Sequence, residues 1–227
     1  MATANIRFTA EDRRHQILEA ATELFAAQGY QGTTTRQIAL KADVNEAIIF
    51  RHFPSKDELY WEVIDHKCHK DRGHARLRAR LTDPAATHQE KFAAIAADFI
   101  RWHENDPSLN RLLLFSALEN HKLSHRFFRT HIAELYEALG EYIRQEIALG
   151  RFRRIDPLVA ARGFLGMVGN HILIQELFGG KKYHTLDAED VSRTLADLWL
   201  NGMLPRGDDP AEASARSNGS HLEKPSK

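Results

Sequence analysis

Histidine and cysteine are the residues of this chain best suited to catalysis or metal binding. The 227 residues include 13 His and one Cys, Cys68. His121 and His125 lie four positions apart and would share one face of a helix, and Asp65 and His66 lie close to Cys68 in sequence. Neither group has a second pair of ligands at a supporting spacing. We therefore expect no catalytic set, metal or cofactor, and keep a metal-dependent helical enzyme only as an alternative.

Two short helices with polar caps form the more informative pattern. Thr34 and Gln37 have the spacing of a capping box, and Asn45 can cap a following helix after a turn at Asp43 and Val44. Two short helices joined by such a turn are typical of a helix-turn-helix, which presents its second helix to the DNA major groove. A purely structural helix bundle has the same pattern and is the alternative.

The composition places the chain in a broad class. Lys plus Arg equal Asp plus Glu at 31 each, and 43% of the residues are hydrophobic, which is enough for a packed core. A lone cysteine forms no intrachain disulfide, and the first 14 residues lack a secretory apolar stretch. No uninterrupted apolar stretch approaches the roughly 18 residues of a membrane span. We expect a soluble, cytoplasmic protein with no membrane partner.

The stretches between the seven prolines have a helical period and no sustained two-residue alternation, so we predict an all-α fold. Four helices fit in about the first 70 residues. Longer helices are expected at about 87–105, 107–119, 124–149, 157–178 and 188–203. We predict a DNA-binding domain at 9–60, a larger helical domain at 61–204, and a polar, disordered tail at 205–227.

The stretch 9–59 resembles the DNA-binding domain of the TetR family of transcriptional regulators. Ordered matches extend over about 50 residues, which is far more specific than a single short motif. The matching residues are Ile17, Leu18, Ala20, Ala21, Leu24, Phe25, Gly29, Tyr30, Thr33, Thr34, Ile38, Ala39, Ala42, Val44, His52, Phe53, Ser55, Lys56 and Leu59.

The resemblance implies a homodimer that binds double-stranded DNA. Each N-terminal module would insert its third helix into the major groove of a palindromic operator. The C-terminal domain would dimerise and bind a small-molecule effector of unknown identity that releases the DNA, as expected of a repressor. A DNA-binding dimer without an effector is the alternative.

The resemblance also implies a set of DNA contacts. Thr33 and Thr34 would contact phosphate, and His52 and Lys56 would act as phosphate clamps. At the start of the third helix, Glu46 could accept a hydrogen bond from the amino group of cytosine, and Ile48 could pack on a thymine methyl. The full expected set is Thr33, Thr34, Thr35, Arg36, Asn45, Glu46, Ala47, Ile48, Phe50, Arg51, His52 and Lys56.

Three residues depart from the family pattern. Phe50 replaces a tyrosine and cannot donate to a phosphate, although Arg51 beside it could compensate. Asp43 replaces a turn glycine and would have to tolerate a left-handed conformation. Ala47 replaces a glycine. Residues 1–60 also hold seven Lys or Arg against eight Asp or Glu, so non-specific DNA affinity should be modest.

The C-terminal region contains a helix that is apolar almost all round, within 156–180. Gly163, Gly166 and Gly169 recur at three-residue spacing and would permit close approach of another helix. By the resemblance, the last two helices form the dimer interface. An intramolecular core hairpin is the alternative.

Aromatic and histidine side chains are frequent in the middle of the C-terminal region. A small-molecule pocket is mostly apolar with a few polar anchors, and these residue types fit that description. The candidate effector contacts are Phe99, Trp102, His103, Phe115, His121, Phe127, Phe128, His131, Met167 and His171.

Overall fold

The computed structural model describes residues 9–70, 73–106, 108–119 and 122–205, and within these ranges the chain is helical with no strand. The all-α prediction is confirmed. The helices are α1 Ala10–Gly32, α2 Thr35–Lys41, α3 Glu46–His52, α4 Lys56–Lys70, α5 Gly73–Thr82, α6 His88–Asn105, α7 Ser108–Leu118, α8 Lys122–Phe127, α9 Ala133–Ala148, α10 Pro157–Ile172 and α11 Ala188–Met203. The predicted tail at 205–227, apart from Pro205, and the candidate residue His121 lie outside the described residues.

The first four helices begin at the caps that the sequence predicts. Thr9 and Thr34 each form a capping box, and the Asn45 side chain accepts from the Ala47 backbone N–H at 2.9 Å. Ser55 Oγ accepts from the Glu58 N–H at 3.2 Å. These bonds satisfy amide groups that have no partner within the helix. Each short helix therefore has a fixed start.

The core of the N-terminal module consists of the apolar residues expected to be buried. Phe25, Ile38, Ile49 and Phe53 are almost wholly inaccessible to solvent. Tyr60 continues this core toward α7, and its hydroxyl donates to the Leu112 carbonyl at 2.8 Å. The module is therefore joined to the C-terminal region by continuous packing, with α1 lying on both α4 and α7.

Two features of the middle region differ from the sequence prediction. Helix α5 was not predicted, because Arg and His dominate its sequence and leave only two buried leucines, Leu77 and Leu81. The helix expected at 124–149 begins at Lys122 and contains a π-helical turn, Phe128–Ile132, between α8 and α9. A second π-helical turn, Leu173–Leu177, ends the long helix that α10 begins. Such turns are often found at functional sites.

The second core lies between α6, α9, α10 and α11. Phe92, Phe164 and Trp199 are mutually packed, with Phe92 and Trp199 ring centroids 4.3 Å apart. Trp199 Nε1 also donates to the Ala160 carbonyl at 3.0 Å, which ties α11 to α10. Helix α11 packs chiefly on α6.

One face of α10 is not covered by the part of the chain that the structure describes. A side chain at Gly166 or Gly169 would meet no atom within 4 Å. The exposed fraction is 61% for Val159 on the same helix and 60% for Leu198 on α11. The helical segment Pro157–Leu177 is long and apolar enough to cross a membrane, judged by length and composition alone. The sequence did not predict this, because none of its uninterrupted apolar stretches approaches that length. The core helix of a soluble protein passes the same test, and 28% of the apolar window in this segment is buried.

Candidate DNA interface and effector cavity

The start of α3 is held by hydrogen bonds within the module. Glu46 Oε1 accepts from Thr35 Oγ1 at 2.5 Å, which joins the first turn of α3 to the first turn of α2. Ile49 is buried beneath α3. Ala47 and Phe50 therefore lie on the outer side, and Phe50 is 48% exposed.

An open groove of about 530 Å³ runs beside α3. It brings together four of the residues expected to contact DNA, namely Asn45, Ile48, Arg51 and His52. Arg13 lines the same groove from the first turns of α1. Arg13 was not among the predicted DNA contacts, although its position four residues after the Thr9 cap, near the start of α1, was a usable signal.

The expected Thr33 contact needs correction. Thr33 is wholly buried, and its hydroxyl donates to the Gly29 carbonyl at 2.8 Å. Its backbone N–H is directed at the Tyr30 carbonyl. The side chain closes the end of α1 and cannot reach a phosphate without breaking that bond. Thr34 and Arg36 remain exposed at the start of α2.

The Lys56 side chain already interacts with a neighbouring residue of the protein. Its ammonium lies 4.0 Å from the centre of the Tyr30 ring, a cation–π arrangement. Burial lowers the pKa of Lys56, with Glu119 and Asp57 acting in the opposite direction. The Tyr30 hydroxyl donates to Asp57. Lys56 can bind a DNA phosphate only from this position over the Tyr30 ring, or after leaving it.

The left-handed conformation predicted at Asp43 is confirmed. Asp43 has φ +49°, the only positive value at a non-glycine position among the described residues. It allows the chain to turn sharply between α2 and α3, and the Val44 N–H then bonds to the Ala39 carbonyl at 3.0 Å. This turn sets the relative placement of the two helices.

The C-terminal region contains a cavity of about 300 Å³ that is partly open to solvent and is lined by α4, α5, α6, α7, α8, α9 and the first π-helical turn. Five of the candidate effector residues line it, together with Leu109, Leu113 and other apolar side chains. These five are Phe99, Trp102, His103, Phe127 and His131. A second cavity of about 230 Å³ shares Phe99 and His103 with the first.

Four other candidates are not in the walls of either cavity. Phe115 lies beside Gly29 at the end of α1. Phe128 is 43% exposed with Tyr136 as its ring neighbour, because the π-helical turn rotates it outward. Met167 packs at the edge of the second core, and His171 lies among Glu104 and Glu176. Their expected effector contacts are therefore not supported by the geometry.

The histidines near the first cavity pair with carboxylates and backbone groups. His131 Nε2 lies 3.3 Å from Asp65 Oδ1, and His74 Nδ1 lies 3.1 Å from Glu134 Oε2. Burial raises the pKa of Cys68 to about 12, with the Asp65 charge adding to the effect. Among the residues that the structure describes, no group of three His, Cys, Asp or Glu could hold a metal ion.

Comparison with known protein families identifies the chain. Residues 17–63 match the model of bacterial regulatory proteins of the tetR family, and residues 90–198 match the AefR-like transcriptional repressor C-terminal domain. The chain belongs to the TetR family. It is therefore a DNA-binding regulator of this family, whose members are not enzymes, and the enzyme alternative is excluded.

Individual relatives agree with this membership. The nucleoid occlusion factor SlmA of Photobacterium profundum is 28% identical over 165 residues, which cover 69% of this chain and 80% of SlmA. The regulator HbdR of Aromatoleum sp. is 51% identical over 54 residues, 24% of each chain. The higher of these two sequence identities is therefore confined to a stretch of 54 residues.

Solved structures share the fold. A TetR-like regulator from Rhodococcus sp. RHA1 has a TM-score of 0.67 at 18% identity, with 86% of this chain and 98% of that one covered. FadR from Bacillus subtilis has a TM-score of 0.66 at 19% identity, covering 83% and 98%. AibR has a TM-score of 0.63 at 24% identity, covering 82% and 97%.

Proposed function

We propose that this TetR-family chain is a cytoplasmic repressor that binds a palindromic operator as a homodimer and releases it when a small molecule occupies the C-terminal cavity. The observation that carries the proposal is the placement of α7. Its Leu109 and Leu113 line the cavity, while Glu119 just after its last turn accepts from the Tyr30 and Gln31 backbone N–H groups of the DNA-binding module.

The proposed DNA surface is the outer side of α3 with the groove beside it. Arg51 and Arg13 supply cations there, and Asn45, Ala47 and Ile48 lie at the N-terminal end, which in a helix-turn-helix approaches the bases. Thr34, Thr35, Arg36, His52 and Lys56 flank it at positions suited to phosphate. Phe50 adds exposed apolar surface without a donor. Glu46 is placed to orient Thr35 as well as to meet a base.

The proposed dimer interface is the uncovered face of α10 and α11. Exposed Val159 and Leu198, with the open stripe at Gly166 and Gly169, form an apolar surface on which a second copy can pack closely. Burial of this surface in a dimer also accounts for an apolar helix in a protein without a membrane partner.

The proposed domain division is 9–60 for DNA binding and 61–204 for effector binding and dimerisation. Position 60 falls inside α4, so one helix belongs to both units. Cys68, near its C-terminal end, lines the cavity, and Tyr60 and Lys56 lie toward the DNA-binding module. A shift of α4 or α7 on effector binding would change the spacing of the two α3 helices.

AibR was solved with isovaleryl coenzyme A and operator DNA, and FadR with stearoyl-CoA. Cavities in this fold can therefore take an effector. The competing proposal is a DNA-binding dimer with no effector, which the cavity of about 300 Å³ disfavours.

The test is selection of bound duplexes from a random DNA library at low salt. An enriched palindrome is expected, and it then serves as a probe in a screen for compounds that release it. Failure of a folded dimer to enrich any sequence would refute the DNA-binding proposal. Enrichment with no compound able to release the probe or raise the melting temperature would favour the dimer without an effector.

A further inference from the structure

The two cavities described above share one wall. Phe99, His103, Ile132 and Leu135 line both, so the cavities adjoin along these four side chains. Ile132 is the last residue of the first π-helical turn, and Ile172, which lines the second cavity, immediately precedes the other. Both irregular turns therefore border the same space.

Asn110, in the wall of the second cavity, has a buried side-chain donor without a partner. The Nδ2 atom of Asn110, on α7, is buried and makes no hydrogen bond in the structure, and Asn110 lines the second cavity. A buried amide donor without a partner is destabilising, because it has lost its hydrogen bonds to water. A ligand that offers an acceptor to Asn110 would replace one of those bonds.

The second polar group is an acceptor. His103 is 8% exposed, and its Nδ1 bonds to the Phe99 carbonyl at 2.8 Å. A carbonyl can only accept, so Nδ1 carries the hydrogen. Burial lowers the pKa of His103, which keeps the ring neutral and leaves Nε2 with a lone pair.

The described walls of these two cavities offer no fixed positive charge to a buried anion. Neither cavity is lined by Lys or Arg in the described part of the chain. The other two histidines of the first cavity, His74 and His131, have carboxylates beside them at Glu134 and Asp65. A carboxylate or phosphate brought here would lose its hydration without gaining a fixed cation.

We infer that the adjoining cavities bind an uncharged, largely apolar molecule whose carbonyl, ester or hydroxyl oxygen accepts a hydrogen bond from Asn110. The inference rests on the proposed effector role of these cavities and names the chemical class of the effector. Apolar contact is supplied by side chains such as Phe99, Leu109 and Leu135. The oxygen fixes the orientation of the ligand.

The test compares three molecules that have nearly the same skeleton. 4-Phenyl-2-butanone has a neutral acceptor, butylbenzene has none, and 3-phenylpropanoate carries a negative charge. Dissociation constants for the full chain are measured by calorimetry at pH 7.5. We expect the ketone to bind about tenfold tighter than the hydrocarbon and at least tenfold tighter than the carboxylate, since one hydrogen bond contributes roughly that factor.

Variants of Asn110 test the assigned contact. Asn110→Leu should abolish the preference for the ketone over the hydrocarbon, and this ratio is independent of any change in protein stability. Asn110→Asp, which is nearly isosteric, should also weaken ketone binding because the donor is lost. Asn105→Leu, at an exposed position at the end of α6, should keep the preference.

Tighter binding of 3-phenylpropanoate, binding of none of the three, or an unchanged preference in Asn110→Leu would overturn the inference. DNA selection is measured separately, without these compounds. A chain that enriches a palindrome but prefers the anion remains a regulator with a different ligand class. A chain that binds the ketone as expected but selects no DNA keeps the cavity assignment and loses the regulator function.

Discussion

Glu119 Oε2 accepts a hydrogen bond from the Tyr30 backbone N–H at 3.1 Å, although 89 positions separate the two residues in sequence. The other carboxylate oxygen accepts from Gln31 at 3.3 Å. One side chain from the C-terminal region thus binds two amides at the end of α1. Arg111 adds a bond from Nε to the Ala26 carbonyl at 2.7 Å. The two regions are therefore linked by polar bonds as well as by packing.

This contact requires glycine at position 29. Gly29 has φ +74° and ψ 179°, a conformation that is almost exclusive to glycine, and a Cβ there would lie 2.4 Å from Glu119 Oε1. We expect Gly29→Ala to lower the free energy of unfolding by about 3 kcal/mol, measured by urea denaturation. Gly150→Ala, with φ +71° but no atom within 4 Å of the added carbon, should cost only about 1 kcal/mol. Equal losses in the two variants would show that the Glu119 contact is not restrictive.

The turn before α3 stores backbone strain. Because Asp43 has φ +49°, Asp43→Gly should raise the free energy of unfolding by about 1 kcal/mol. Chemical denaturation measures the change, and Asp43→Ala, which keeps the Cβ, is the matched control and should bring no gain. A glycine variant no more stable than the alanine variant would contradict the expected strain.

Arg51 is exposed near the end of α3 and lines the groove. If it contacts a phosphate, Arg51→Ala should weaken binding to all DNA sequences alike and reduce the slope of log affinity against log salt by about 1. Fluorescence anisotropy over a salt series gives both quantities. Arg144→Ala, an exposed substitution on α9, should change neither. An unchanged slope for Arg51→Ala would remove it from the phosphate contacts.

Leu198 is 60% exposed on α11 and belongs to the proposed dimer face. Leu198→Asp would place a charge in a buried interface, so we expect a monomer by sedimentation equilibrium and loss of tight operator binding. Leu118→Asp, on a residue that is 75% exposed at the end of α7, is the control and should leave the dimer intact. A dimer that survives the Leu198 change would place the interface elsewhere.

Cys68 should be unreactive in the folded protein. With its pKa raised to about 12, only about 10⁻⁴ of the thiol is ionised at pH 8, so modification by a disulfide reagent should be roughly a thousandfold slower than in the urea-unfolded chain. Above about pH 8.5 the unfolded thiol ionises and the folded one does not. Stability should therefore fall by about 1.4 kcal/mol per pH unit from this group. A native rate within tenfold of the unfolded rate would refute the shift.

The sequence predicted most of the helices because local signals specify them. Thr9, Thr34 and Asn45 define helix starts by their own side chains, and the structure contains each of these caps. Helix α5 exposes three arginines, Arg76, Arg78 and Arg80. Its formation depends on burying Leu77 and Leu81 against α6 and α9, which is a tertiary effect that no local pattern indicates.

The site was predicted less completely. Residue types indicated that Thr33 could bind phosphate, but only the fold reveals that its hydroxyl is used at Gly29. In the C-terminal region, aromatic composition identified five residues of the cavity wall and could not separate them from Phe128 or Met167. Asn110 was missed because a single asparagine between leucines and arginine carries no signal of burial.

The π-helical turn Phe128–Ile132 is equivalent to one extra residue accommodated in an otherwise continuous helix from α8 to α9. Each residue of an α-helix advances the chain by about 100° around the axis. Deleting one residue of this turn would restore a regular helix and swing α8 by about that angle against α9. Phe127 and His131, now both in the cavity wall, could no longer face the same space. The shape of the cavity thus depends on chain length at this one turn as much as on which side chains surround it.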